Sequence, residues 1–287
     1  MNTSTDKPDR ILTLGHSPDA DDAFMFYALA RGKIDTGALR YEHTLQDIET
    51  LNRRAERGEL DVTALSVHAY AYVADTYAIL SSGASVGDEY GPIVVAKEPL
   101  EVGALRGRRI AVPGEWTTAY LSLRLCLGEF ESVVVPFDEV FPAVLEGQAE
   151  AGLVIHEGQL TYADANLHHI LDLGRWWAKR TGGLPLPLGV NAIRKSLGPA
   201  LLKEIGKHLR ASIEYGLAHR REALDYALSF GRGLMRDDAD RFVGMYVNDF
   251  TVDLGERGRR GIEVLLEQAA EQGWIPGSVQ PEFIDCH

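Results

Sequence analysis

Cysteine is nearly absent from this 287-residue chain, which contains only Cys126 and Cys286. Two cysteines do not build a disulfide framework, and neither lies at the spacing of a zinc site. Cys126 falls within an apolar helical pattern, so we interpret it as a small buried hydrophobe rather than a nucleophile. The cysteines therefore indicate no metal or redox centre.

Positive charge is also scarce. The chain has 29 lysines and arginines against 42 acidic residues, which gives a formal net charge of −13. Such a charge repels a phosphate backbone, and no basic stripe interrupts the acidic sequence. We therefore expect a small-molecule partner and no nucleic acid.

No apolar run approaches the length of a transmembrane helix. The first such run, residues 11–15, is also shorter than the hydrophobic region of a signal peptide. These features predict a cytoplasmic protein without membrane insertion. With 45% hydrophobic and 25% charged residues, the composition is that of a globular protein. Its length exceeds the usual size of one domain.

Strand and helix signals alternate along the first part of the chain. An apolar strand at residues 11–15 leads into a helix for which Ser17 is the predicted N-cap. Two similar strand–helix units follow at residues 39–58 and 61–73. This alternation favours an α/β architecture with a largely parallel sheet.

A second strand–helix series follows the buried strand at Ile93–Ala96, which we assign to the first series. A stretch rich in glycine and proline at residues 182–189 ends the second series. We therefore predict two lobes, each a mixed sheet flanked by helices and joined by a double hinge near residues 97–100 and 183–190. The predicted large lobe is residues 1–98 and 190–287, and the small lobe is residues 99–189.

Several short segments stand in a specific order and spacing along most of the chain. They are Ser17-Pro18 with Asp22 and Phe24, DIETLN at 47–52, TALS at 63–66 with Ala69-Tyr70, Pro113-Gly114 with TTAY at 117–120, AGLVIHE at 151–157, and LPLPLG at 184–189. In these segments the chain resembles the futalosine-pathway enzymes of menaquinone biosynthesis, above all the 1,4-dihydroxy-6-naphthoate synthase family.

That resemblance implies a periplasmic-binding-protein-like (type II) fold. It also implies a lyase-type enzyme that converts cyclic dehypoxanthinyl futalosine to 1,4-dihydroxy-6-naphthoate without a cofactor. The substrate of the family carries a carboxylate. A related family member, chorismate dehydratase, has the same fold and is one alternative. A solute-binding protein of this fold is another, although we would expect an export signal that the sequence does not show.

The first loop departs from the family pattern. Where the synthases carry Ser-Pro-Cys-Pro-Asn-Asp-Thr-Phe, residues 17–24 of this chain read SPDADDAF. Because that loop faces the cleft in this fold, a branch of the family with altered specificity remains an alternative.

His156 follows the predicted strand at residues 151–155. Ligand crevices in α/β sheets lie outside the carboxyl ends of the strands, and an imidazole can take and return a proton at neutral pH. By resemblance, the catalytic histidine of the family falls on this position. We therefore predict His156 as the catalytic base, with a helix-capping role near Gly158 as the structural alternative.

Five further residues are candidate substrate-binding residues. Thr117 and Thr118 open a predicted helix, and Ser66 lies at a similar strand-to-helix junction, where hydroxyls and free N–H groups can hold a carboxylate. Ordinary N-capping accounts for the same residues without a ligand. Ser17 and Asp22 are included because they match the first-loop motif of the family.

No metal or nucleotide site is predicted. Asp19, Asp21 and Asp22 lack the glycine turn and glutamate spacing of a calcium loop, and a helix dipole favours acidic residues in a first turn. No phosphate-binding glycine motif occurs. We interpret Trp176 and Trp177 as core packing rather than as an aromatic ligand wall.

Overall fold

The computed structural model describes residues 10–230 and 235–287. The strands are β1 Arg10–His16, β2 Leu39–Leu45, β3 Val62–Ser66, β4 Tyr77–Leu80, β5 Ser85–Gly87, β6 Ile93–Ala96, β7 Arg109–Val112, β8 Glu131–Val134, β9 Ala151–Val154, β10 His168–Asp172, β11 Leu186–Arg194 and β12 Phe283–Ile284. The helices are α1 Ala20–Ala30, α2 Ile48–Glu56, α3 Val67–Val73, α4 Thr118–Leu127, α5 Val140–Leu145, α6 Gly158–Thr161, α7 Leu173–Thr181, α8 Pro199–Ala218, α9 Arg220–Leu228, α10 Arg236–Tyr246, α11 Asp249–Val252 and α12 Gly255–Glu271.

These strands form two mixed sheets. The first has the order β12-β4-β11-β3-β1-β2, with β5 paired to β11, and the second has the order β10-β6-β9-β7-β8. Strands β1, β2 and β3 are parallel, so each needs a crossover helix, and α1 and α2 supply it. Helix α1 packs against α8, α9 and α10. None of the helices within the described ranges is both long and apolar enough to cross a membrane.

Side-chain caps fix where several helices begin. Asp47, Thr117 and Asp172 each accept a hydrogen bond from the backbone N–H three residues later. Helix α7 ends at Gly182, whose φ of 72° is a left-handed conformation that glycine adopts without strain. These signals are local, and α4 begins at the two threonines that the sequence predicted to open a helix.

The prediction of Ser17 as the N-cap of α1 is wrong. Helix α1 begins at Ala20, and Asp19 occupies the N-cap position. The reason is that Ser17 bonds within its own loop, because its N–H donates to the Asp22 carboxylate and its hydroxyl to that of Asp19. These bonds delay the start of the helix.

The assignment of strand β6 to the first lobe is also wrong. Strand β6 is antiparallel to β9 and β10 and lies in the second sheet. Its residues are all buried because it is an interior strand with helices and strands around it. The first crossing between the sheets therefore lies at residues 88–92 rather than 97–100. Residues 186–189 belong to β11 of the first sheet and not to the small lobe.

Replacing Trp177 by phenylalanine tests how firmly α7 is anchored. Trp177 is fully buried and donates its indole N–H to the Pro185 carbonyl at 3.0 Å, so Trp177 is a core residue as the sequence predicted. We expect Trp177→Phe to lower the free energy of unfolding by about 1–3 kcal/mol, through a cavity and an unpaired carbonyl. Urea unfolding followed by circular dichroism measures this. Trp176→Phe, at the half-buried neighbour, is the control, and equal losses in both variants would contradict the packing account.

Candidate functional site

A cavity that is open to solvent lies between the two sheets. Four loops that follow strands β1, β3, β7 and β9 line it, together with part of β11 and helix α10. The structure brings all six residues singled out from the sequence to this cavity: Ser17, Asp22, Ser66, Thr117, Thr118 and His156. Their roles there stay predictions, but their convergence from four loops makes this cavity the candidate site.

The N-cap and first turn of α1 line the cavity with carboxylates. Asp19, Asp21 and Asp22 are each less than 9% exposed. Asp22 accepts a hydrogen bond from Ser17 N at 2.7 Å, and Asp21 accepts one from Ser85 Oγ at 3.1 Å. Within the ranges the structure describes, no set of three or more His, Cys, Asp or Glu side chains is arranged to hold a metal ion.

Burial dominates the protonation of these acids. Together with the charge of Asp19, it raises the pKa of Asp21 to about 6. Burial and the neighbouring Asp21 raise the pKa of Asp22 well above its usual range. Glu157, from the second lobe, also has a raised pKa, through burial and the charge of Asp19. A helix dipole would lower the pKa values of acids in a first turn, so it does not account for these raised values. A cluster of buried acids with raised pKa values is typical of a functional site.

His156 is held in an unusual backbone conformation. Its φ is 55°, in the left-handed region that costs a non-glycine residue about 1 kcal/mol or more. Its imidazole meets the ring of Phe137 edge to face, with centroids 4.9 Å apart. Helix α6 starts at Gly158 with Glu157 at the N-cap position, so His156 is not the cap.

Two contacts join the lobes across the cavity. His156 Nδ1 lies 3.2 Å from Asp19 Oδ2, and Ala20 N donates to Glu157 Oε1 at 3.4 Å. The residues of the first lobe in these contacts are Asp19, the N-cap of α1, and Ala20, its first residue. The acidic loop and the histidine loop therefore form one continuous wall.

The hydroxyls of the two threonines bond within the protein. Thr117 Oγ1 donates to the Gly114 carbonyl at 2.8 Å, and Thr118 Oγ1 donates to the Leu188 carbonyl at 2.5 Å. Both hydroxyl protons are thus used within the protein. At the start of α4, the N–H groups of Thr118 and Ala119 have no acceptor among the residues described. These N–H groups are the ones available to an anion.

Asn52 and Glu49 position the polar groups beside α4. Asn52 is fully buried, donates to Ser66 Oγ at 3.1 Å and to the Trp116 carbonyl at 3.3 Å, and accepts from Ser66 N at 2.9 Å. Glu49 accepts from Trp116 N at 3.1 Å. The segment 47–52 that marked the family resemblance therefore fixes Ser66 and the loop before Thr117.

Sequence reasoning missed several residues that line the cavity. They are Asp19, Asp21, Ser85, Gln159, Asn191, Phe242 and Tyr246. Tyr246 OH donates to Gln159 Oε1 at 2.8 Å, which joins helix α10 to the turn after His156. Nothing local to α10 indicates that it reaches the cavity.

Comparison with known proteins gives a consistent set of relatives. The model of a family described as menaquinone biosynthesis matches residues 12–271. A 1,4-dihydroxy-6-naphthoate synthase of Thermus thermophilus is 44% identical over 273 residues, which cover 95% of this chain and 99% of the relative. One of Streptomyces coelicolor is 41% identical over 271 residues, which cover 92% and 95%.

Solved structures agree with the predicted fold. A crystal structure of a protein from Archaeoglobus fulgidus is 50% identical, with a TM-score of 0.88 over 92% of this chain and 98% of that one. The alkanesulfonate-binding protein of Xanthomonas axonopodis pv. citri, solved with MOPS, has a TM-score of 0.75 over 97% and 99% at 12% identity. The second likeness shows the fold alone. The prediction of a periplasmic-binding-protein-like fold is confirmed.

Removing the charge of Asp21 should stabilise the protein at neutral pH. The pKa of Asp21 is about 6 in the folded chain against 3.8 without its surroundings. Between these values the folded state binds more protons, so its free energy of unfolding falls as the pH rises. We expect Asp21→Asn to gain about 1–3 kcal/mol at pH 7.5 and less at pH 5.

Urea unfolding at the two pH values measures this gain. Asp164→Asn, at an exposed aspartate after α6, is the matched control and should change stability by less than about 0.5 kcal/mol at either pH. A gain for Asp21→Asn that does not grow with pH would contradict the raised pKa.

Proposed function

Since the chain belongs to the menaquinone-biosynthesis family, we propose that it is a lyase-type enzyme that converts cyclic dehypoxanthinyl futalosine to 1,4-dihydroxy-6-naphthoate. The observation that carries this proposal is the 44% identity to a 1,4-dihydroxy-6-naphthoate synthase over 95% of the chain. The cavity supports it, because it places a histidine, buried acids and a helix N-terminus around one space.

The substrate carboxylate is placed at the start of α4. The acidic first loop, with Asp19 and Asp21, repels an anion, whereas the N–H groups of Thr118 and Ala119 attract one. Ser66 lies beside this position and its hydroxyl proton can add a hydrogen bond. The hydroxyl-bearing sugar portion then faces the acidic loop, whose carboxylates accept hydrogen bonds.

His156 acts as the base in this arrangement. It takes a proton from a substrate carbon, the electron pair stays on the substrate and drives the fragmentation, and the imidazolium later returns the proton. The two lobes close over the substrate about the crossings at residues 88–92 and 182–185, which excludes water from the reacting groups. None of these steps requires a cofactor.

The sequence of the first loop favours a second candidate function. Its SPDADDAF sequence replaces the cysteine and asparagine of the family pattern, and both replacements, Asp19 and Asp21, line the cavity. This observation favours a different substrate on the same scaffold, for which chorismate is the alternative to test. The cytoplasmic location stays a prediction from the sequence.

Replacing His156 by asparagine tests its role as base. Asparagine tolerates the left-handed backbone at this position, and its amide can still donate toward Asp19, so the fold should persist. We expect kcat to fall by about 10²–10⁴-fold, with KM changed only a few-fold. The assay incubates each protein with cyclic dehypoxanthinyl futalosine and follows the naphthoate by mass and absorbance, with chorismate in parallel.

Circular dichroism and a thermal melt serve as folding controls for the variant. Turnover close to wild type in a folded His156→Asn variant would remove His156 from the mechanism. If the wild type consumes chorismate but not the futalosine derivative, the proposed substrate is wrong, while the membership of the family still holds.

A further inference from the structure

The carboxylate of Asp19 and the imidazole of His156 meet across the cavity. From this geometry we propose that Asp19 is a positioning residue, which holds the Nδ1–H of His156 so that Nε2 carries the lone pair for proton transfer. The catalytic part of this inference rests on the proposed function. The pairing itself does not.

The pair is built from a buried, oriented carboxylate. Asp19 is 6% exposed, and its Oδ2 lies 3.2 Å from His156 Nδ1. The hydroxyl of Ser17 donates to the same oxygen, and Asp19 N–H donates back to Ser17 Oγ at 3.3 Å. Ser17 therefore holds this carboxylate oxygen in place from within the first lobe. Asp19 is therefore preorganised to accept a proton-bearing nitrogen.

The histidine is constrained from other directions as well. The left-handed backbone of His156 sets where its Cβ points, and the ring of Phe137 packs against the imidazole at an interplanar angle of 75°. In a neutral imidazole only one nitrogen bears a proton, so a partner that accepts from Nδ1 leaves the lone pair on Nε2. Position and tautomer are thus both determined by the protein.

Several acidic groups lie around this imidazole in the part of the chain that the structure describes. Asp19 and Asp21 face it from the start of α1, and Glu157 follows it in its own loop. Asp138 follows Phe137 in the turn packed against the ring. Each negative charge favours the imidazolium, and Asp19 does so at contact distance with a hydrogen-bonding geometry.

The carboxylate at this position is a feature of the altered first loop. The family pattern has cysteine where this chain has Asp19, and a neutral thiol is a weak acceptor without charge. The contact also joins the two lobes, because Asp19 follows the first sheet and His156 the second. The base is therefore oriented when the lobes are together.

The proton step balances without any additional reactant. A substrate C–H gives its proton to Nε2 and keeps the electron pair, the ring becomes an imidazolium, and Asp19 stays ionised against Nδ1–H. The electron pair on the substrate carbon then expels the leaving fragment as its bond to the substrate breaks, and Nε2 returns the proton to that fragment. Asp19 stabilises the charged ring but does not itself take the proton.

Asp19→Asn tests the proposal, because it keeps the shape of the side chain and removes its charge. Nitrogen NMR of protein with ¹⁵N-labelled histidine reports the tautomer and the pKa of each imidazole, and His156→Asn identifies the His156 signals. In the wild type, we expect neutral His156 to be protonated at Nδ1. In Asp19→Asn this preference should be lost, and the pKa of His156 should fall.

Activity gives the second readout. With loss of the Asp19 charge, the acid limb of the kcat profile should move to lower pH, and kcat on the proposed substrate should fall by about 10²-fold or more. For the NMR readout, Asp21→Asn is the matched control, since it removes a buried carboxylate that bonds Ser85 and should leave the Nδ1–H tautomer in place. For activity, the control is Asp164→Asn, at an exposed aspartate outside the cavity, which should leave kcat unchanged.

The outcomes separate the two proposals. An unchanged tautomer and pKa of His156 in a folded Asp19→Asn variant overturns the positioning role, whatever happens to turnover. A changed tautomer with undiminished kcat overturns it too. If the tautomer and pKa change but the wild type does not turn over the proposed substrate, the pairing is supported and the proposed function fails.

Discussion

The candidate site depends on the burial of three carboxylates at the start of helix α1. Taking Asp19, Asp21 and Asp22 out of water is expensive unless each is protonated, hydrogen-bonded or paired. All three kinds of stabilisation are found in this structure. The pKa values of Asp21 and Asp22 are raised, Ser17 and Ser85 donate hydrogen bonds, and His156 lies against Asp19. The start of α1 and the approach of the second lobe both follow from this arrangement.

A second polar network supports the other side of the cavity. Asn52 and Glu49 hold the backbone around Trp116, and this fixes the start of α4, where Thr118 and Ala119 line the cavity. The cavity therefore has an acidic wall that accepts hydrogen bonds and a helix terminus that attracts an anion. A ligand with a carboxylate and several hydroxyls matches this polarity, which is the physical basis for assigning the proposed substrate its orientation.

Local signals in the sequence predicted much of this site, and non-local packing decided the rest. His156 and Thr118 were found because residues after parallel strands meet at one edge of a sheet, and that rule needs only the strand ends. Strand β6 was misplaced because an apolar run shows burial but not its pairing partners, which are β9 and β10. Tyr246 was missed because the packing of α10, far along the chain, brings it to the cavity. The acids of the first loop were explained by the helix dipole because their burial, which comes from tertiary packing, is not visible in the sequence.

A crystal structure of the protein with 1,4-dihydroxy-6-naphthoate most directly tests whether this cavity is the active site. The account predicts the naphthoate between the lobes, with its carboxylate accepting from Thr118 N and Ala119 N and its rings beside His156. A ligand bound outside the cavity, or one whose carboxylate lies against Asp19 and Asp21, would contradict the account.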